Sequence, residues 1–200
     1  MTTAPHPPDP PIVLASSSPR RRQLLDMLHI PFEVEPSGID EIVGPREAPR
    51  DYVLRVAQEK AEAVATRRPG AIVLAADTEV VLDGEVFGKP ADAAGAVAML
   101  QRLQGRTHQV LTGVVVAREG RLEHAIDITA VTFRPADRAT LTAYVATGEP
   151  LDKAGAYAVQ GMGGVLIERI EGDVFGVMGL PIRLAVDLLA RCGRPYRFTR

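Results

Sequence analysis

Cysteine occurs once in this chain of 200 residues, at Cys192, tryptophan is missing, and aromatic residues make up 4%. A lone thiol forms no intrachain disulfide and no CxxC zinc or redox pair. With so few rings there is little for the bases of a single strand to stack on. The four histidines, His6, His29, His108 and His124, are too scattered for a local metal motif. Lysine is scarce too, at three positions. No apolar run approaches the roughly eighteen residues of a membrane span. Neither sign of charge dominates: 23 basic residues face 25 acidic ones, a formal charge of −2. That balance argues against a stable complex with nucleic acid, though a local basic pocket is compatible with it. There is no GxxxxGK(S/T) phosphate loop, no GxGxxG fingerprint and no G-x-S-x-G nucleophile elbow.

What remains is the composition of a globular protein, 46% apolar and 24% charged. At this length about 70% of the unfolded surface can be buried, enough for a core without disulfides or structural metal. Residues 1–11 hold Pro5, Pro7, Pro8, Pro10 and Pro11 and lack the basic start and apolar stretch of a secretory signal. They read as a disordered or extended leader, with one domain over 12–200. The lone thiol and the absent signal point to the cytoplasm.

Hydrophobic periodicity alternates along that domain. Strands are expected at Ile12–Ala15, Phe32–Glu35 and Ala71–Ala76, the last ending at Asp77-Thr78. Asp83-Gly84 and Glu119-Gly120 sit between apolar runs as hairpin turns. Further strands are expected at Ala156–Val159 and Val165–Ile170. Helices are expected at Pro19–Leu28, Asp51–Val64, Asp92–Leu103 and Thr140–Val145, with a closing helix marked by Ile182, Ala185, Val186 and Leu189. The fold class is α/β, a twisted mixed sheet flanked by helices.

Four segments carry chemistry. In Ala15-Ser-Ser-Ser-Pro-Arg-Arg-Arg22 an apolar strand feeds a serine loop and a helix start, whose free N–H groups and positive dipole suit a phosphate. The bland alternative is a serine cap beside a solvated arginine face. In Ala75-Ala-Asp-Thr78 a carboxylate follows an apolar strand, where it can hold a divalent cation, act as a general base on water, or simply begin a turn. Lys89 is pinned between Gly88 and Pro90, as an aimed point charge or a surface turn. Lys60, beside Glu59 on an amphipathic helix, defaults to a solvated face. Segment 148–161 combines small residues with Glu149, Asp152, Lys153, Tyr157 and Gln160; the Gln160 amide can pair with a base edge, or the segment is a turn that satisfies its own backbone.

In their order and spacing, LASSSPRR at 14–21, Gly38-Ile-Asp-Glu41, AADT at 75–78, GKP at 88–90, LTGV at 111–114, DKAGAYAVQG at 152–161 and GLP at 179–181 resemble the Maf family of nucleoside triphosphate pyrophosphatases. The likeness spans nearly all of 12–198. It implies hydrolysis of a nucleoside triphosphate to the monophosphate and pyrophosphate, dependent on Mg²⁺ or Mn²⁺. It also implies a fold akin to the inosine triphosphatases, with two lobes around a nucleotide cleft, and a homodimer. Transferred position by position, the proton acceptor is Asp77. Ser16, Ser18, Arg20, Arg21, Lys60 and Lys89 face the phosphates, Glu41 joins Asp77 at the metal, and Arg20, Thr78 and Gln160 set specificity.

The 152–161 segment resembles the branch acting on dTTP and UTP; the alternatives are the 7-methyl-GTP branch and a non-catalytic nucleotide-binding regulator of cell division. Two departures from the family pattern stand out: Glu79 follows Thr78 where an apolar residue is usual, and Phe175-Gly-Val-Met178 replaces a more polar run. The first adds negative charge beside the expected metal site, and the second bears on the shape of the base pocket.

Overall fold

The structure, a computed structural model, describes residues 10–198. The expected leader lies outside the described residues but for Pro10 and Pro11, and the Pro11 carbonyl already accepts a hydrogen bond from Ile72 N.

Seven strands form one mixed sheet. Strand β1 (Ile12–Leu14) lies parallel to β2 (Phe32–Val34) on one side and to β3 (Ile72–Leu82) on the other. Beyond β3 the sheet turns antiparallel through β5 (Thr107–Arg118), β6 (Arg121–Phe133) and β7 (Ile167–Glu171). The short β4 (Glu85–Phe87) folds back on the end of β3. Both expected hairpin turns form, with positive φ at Asp83, Gly84, Glu119 and Gly120.

Parity along the strands sorts the core. Ile12, Leu14, Ile72, Leu74, Val114 and Val116 face α1 (Pro19–Asp26) and α6 (Ile182–Arg191). On the opposite face, Val13, Val73, Ala75 and Val115 meet Ala57, Ala61 and Val64 of α2 (Pro49–Arg67). Further along, Val80, Leu82, Val110, Val131 and Phe133 build a separate core with α3 (Ala93–Leu103) and α4 (Arg138–Ala146). The long strands β3 and β5 therefore run through more than one core. Gly113 on β5 lets α2 come close: a Cβ there would lie 2.9 Å from the Val53 carbonyl oxygen.

Three expectations are corrected. The strand beginning near Ala71 does not end at Asp77; it continues to Leu82 because Asp77, Thr78 and Glu79 keep their pairing to Gly113, Thr112 and Leu111. Residues 156–159 form no strand, since Gly155 and Ala156 adopt positive φ and break the extended chain. The stretch from Met162 to Leu166 is a short 3₁₀ helix, and β7 starts only at Ile167. A five-residue helix, α5 (Val174–Met178), was not expected; Asp173 caps it by accepting from Phe175 N and Gly176 N. No helix among the described residues is long and apolar enough to cross a membrane.

Candidate active site

The sheet itself makes the cleft. Strand β1 pairs with β3 through Leu74, with one more hydrogen bond from Ala15 N to the Leu74 carbonyl, while β4 joins the same edge of β3 only at Val80. Between these points the edge of β3 is free, and the chain leaving β1 turns away as the serine loop. Side chains from both faces of β3 thus reach one cleft of about 850 Å³. Its lining brings together every residue expected at the site: Ser16, Ser18, Arg20, Arg21, Glu41 and Lys60, with Asp77, Thr78, Lys89 and Gln160.

Asp77 and Lys60 form its buried centre. Asp77 is 3% exposed and Lys60 5%, and Lys60 Nζ lies 2.7 Å from Asp77 Oδ1 and 2.6 Å from Glu41 Oε1. Asp77 Oδ2 is buried without a partner. The expected solvated position for Lys60 is thereby overturned: it stands on the buried stripe of α2 with Val53, Val56, Ala57 and Val64. Burial pushes the Glu41 carboxyl up, but the bonded Lys60 ammonium, helped by Lys89 and Arg21, holds it below its usual value on balance.

Glu79, two residues along on the same face of β3, is buried as well, and its Oε2 has no partner. Burial, with Asp77 and Glu41 close by, pushes its pKa up to about 8. The first departure from the family pattern therefore sits inside the cleft lining.

On the other face, Arg21 is engaged three ways. Its Nε donates to the Gly179 carbonyl at 2.8 Å, one terminal nitrogen to Ser16 Oγ at 3.3 Å and the other to Thr78 Oγ1 at 3.1 Å. Desolvation lowers its pKa, against the pull of Asp77 and Glu41. Ser18 is the N-cap of α1, accepting from Arg21 N, and Ser16 Oγ accepts from Ser18 N. The serine cap forms as the bland alternative has it, and Ser16 and Ser18 also line the cleft. Arg22 points outward to Asp26, as a solvated face requires. Arg20 and Lys89 line the cleft, part-exposed and exposed, and neither makes an ion pair among the described residues.

Gln160 is exposed at the cleft on a segment held by Glu149. The Glu149 carboxylate accepts from Tyr144 Oη, Met162 N and Gly163 N at 2.8–2.9 Å, and Tyr144 Oη accepts from Ala158 N. Of the two readings of segment 148–161, Glu149 follows the turn that satisfies its own backbone, and it acts as a clasp. Of the second departure, Val177 and Met178 line the cleft. Gly176 does not, and a Cβ there would lie 2.3 Å from Asp127 Oδ2.

The lining holds five cations, Arg20, Arg21, Lys60, Lys153 and Lys89, against five acids, Asp40, Glu41, Asp77, Asp152 and Glu79. All three lysines of the chain are there. A Maf-like protein family profile matches residues 11–192, which contain this whole arrangement. The chain belongs to the Maf family.

Among curated Maf relatives, the dTTP/UTP pyrophosphatase of Anaeromyxobacter sp. (strain Fw109-5) is 54% identical over 189 residues, covering 92% of this chain and 90% of that protein. The dTTP/UTP pyrophosphatase of Myxococcus xanthus (strain DK1622) is 54% identical over 185 residues, covering 92% and 93%. Among solved structures, the Staphylococcus aureus Ham1 protein overlaps 61% of this chain and 71% of its own, at a TM-score of 0.45 and 17% identity.

Proposed function

We propose that this Maf protein hydrolyses nucleoside triphosphates to the monophosphate and pyrophosphate, with dTTP and UTP as its substrates. One observation carries the reading: a buried carboxylate, Asp77, keeps one oxygen on Lys60 and leaves the other unpartnered, in a cleft that gathers every lysine of the chain. An oxygen so placed can take a proton from water, and the ammonium bonded to the other oxygen does not compete for its lone pairs. The names of the relatives at 54% identity supply the substrate class.

The tail of a nucleoside triphosphate brings about four negative charges, and catalysis at phosphorus is mostly positioning and charge stabilisation. Arg20, Lys89 and the remaining donors of Arg21 are the groups we assign to the phosphates. Gln160 and Thr78 would meet the base or sugar, with Arg20 contributing to specificity. Asp77 orients water for in-line attack on the α-phosphorus, so that pyrophosphate leaves.

Five cations stand against four acids and a Glu79 carboxyl pushed toward its neutral form, which leaves little net positive charge for such a tail. The residues fit a divalent cation: Asp77 Oδ2 and Glu79 Oε2 are hard oxygen donors, buried and unpartnered, and Glu41 lies on the same lysine. Among the described residues no three His, Cys, Asp or Glu form a ready metal cage. Mg²⁺ and Mn²⁺ bind through one or two carboxylates and complete their shell with phosphate oxygens and water. Asp77 and Glu41 would hold the ion, and when bound it supplies the missing charge at the phosphates.

Pyrophosphate release from dTTP, UTP, CTP and 7-methyl-GTP, with and without Mg²⁺, tests the proposal. The expected result is monophosphate and pyrophosphate in equal amounts from dTTP and UTP. Orthophosphate as the product, or no turnover of any triphosphate, would overturn it.

A further inference from the structure

Thr112 is fully buried on β5, directly opposite Thr78 on β3, and does not line the cleft. Their hydroxyl oxygens lie 3.0 Å apart, a spacing that by itself leaves the donor open. The surroundings settle it. Thr112 Oγ1 is 2.8 Å from the Gly176 carbonyl oxygen, which can only accept, and a hydroxyl owns a single proton. That proton goes to Gly176, so Thr112 must receive the proton of Thr78. Thr78 Oγ1 in turn accepts from the Arg21 guanidinium at 3.1 Å. The relay has one direction: Arg21 to Thr78 to Thr112 to the Gly176 carbonyl. The reverse order would set two oxygens 2.8 Å apart with no proton between them.

Two consequences follow. Thr78 has no proton left for a ligand and can meet one only as an acceptor. The aim of Arg21 also depends on a residue outside the cleft, because Thr112 fixes where the Thr78 lone pairs point. The same Arg21 donates through Nε to the Gly179 carbonyl, so the guanidinium holds the C-cap of α5 while Thr112 holds its middle at Gly176.

We propose that Thr112 is a positioning residue for polyphosphate binding and substrate choice, acting through Thr78 on Arg21. This deepens the function proposed above and rests on it for the identity of the substrate.

The test compares Thr112→Val, which keeps the shape and removes the hydroxyl, with Thr112→Ser, which restores it. Affinity for inorganic tripolyphosphate is read by calorimetry, and KM and kcat for dTTP by pyrophosphate release, with thermal unfolding alongside. Loss of a networked hydrogen bond predicts an affinity for tripolyphosphate and a KM for dTTP weakened about three- to tenfold in Thr112→Val, with kcat changed less. Thr112→Ser should recover most of the loss. Adding Thr112→Val to Thr78→Val should cost little beyond Thr78→Val alone, because the relay is already broken.

Tripolyphosphate affinity and KM unchanged in a folded Thr112→Val protein would overturn the proposal. So would effects of Thr112→Val and Thr78→Val that multiply independently. If Thr112→Val does not fold, a Thr112→Ser protein with the full loss of affinity has the same force. Should the wild type turn over no triphosphate, the functional reading falls, while the tripolyphosphate measurement still decides the relay.

Discussion

Lys60 Nζ and Asp77 Oδ1 lie 2.7 Å apart with both side chains less than one-tenth exposed, and the lysine also holds Glu41 at 2.6 Å. One ammonium therefore faces two carboxylates, and burial, with Asp77 and Glu41 close by, suppresses the ionisation of the Glu79 carboxyl beside them. A buried ion pair contributes little net stability when intact, but breaking it strands a charge in a poor solvent. Lys60 is the structural keystone of the cleft, its one ammonium bonded to both Asp77 and Glu41.

Lys60→Met should therefore lose about 3–5 kcal/mol of unfolding free energy, read by urea denaturation. Asp77→Asn keeps an acceptor for Lys60 and should lose clearly less. Equal and small losses in both variants would show that the pair is not the buried centre described.

Lys89 lines the cleft without an ion pair among the described residues, so its charge is free for substrate. Lys89→Ala should raise KM for dTTP, lower kcat, or both, by a combined factor equivalent to about 1.5–3 kcal/mol. Stability should hardly change. Unaltered kinetics would place Lys89 outside the phosphate contacts.

Glu149 and Gln160 separate holding from reading. Glu149→Ala removes the acceptor for Tyr144 Oη, Met162 N and Gly163 N and should destabilise the protein by about 1–3 kcal/mol. Gln160 is exposed, so Gln160→Ala should leave stability alone. Both should blur the preference for pyrimidine over purine triphosphates, measured as the ratio of kcat/KM values. Wild-type selectivity in Gln160→Ala would locate base reading elsewhere.

His108 gives the protein an acid-sensitive point. It is buried, with Nε2 2.8 Å from Tyr157 Oη and Nδ1 unpartnered, and burial lowers its pKa to about 4. The unfolded chain takes up this proton near the ordinary histidine value of 6.5, the folded chain only near 4. Its contribution is therefore complete above pH 6.5 and is lost as pH falls through 4, about 3 kcal/mol over the window. Denaturation midpoints from pH 7 to 4 should show this decline in the wild type and a shallower one in His108→Gln. Parallel curves would contradict it.

The expected helices and both hairpins were legible because they rest on local signals. Apolar spacing, Ser18 and Asp92 as caps, and Asp83-Gly84 in its turn all act within a few residues. The misreadings came where distant chain decides. A carboxylate at Asp77 looked like the end of a strand, yet its backbone is held by Gly113, 36 positions on. Lys60 looked solvated because Glu59 is its sequence neighbour. The better signal was its place at the i+3 and i+4 spacing from Ala57 and Val56 on the apolar stripe. Glu79 carried a similar signal, a charge in a buried strand at the same parity as Asp77. Nothing local announced the Glu149 clasp or the role of Thr112, because both act on chain segments far from their own neighbours. The site residues themselves were found through their likeness to a family, and the structure brings all of them to one cleft.

We propose that the unpartnered oxygen of Asp77 activates water at a bound triphosphate. It is tested most directly by the rate of pyrophosphate release from saturating dTTP in Asp77→Asn, with folding checked by circular dichroism. A folded variant slowed by roughly 10²–10⁴ is the predicted result. A folded variant that turns over dTTP at the wild-type rate would contradict it.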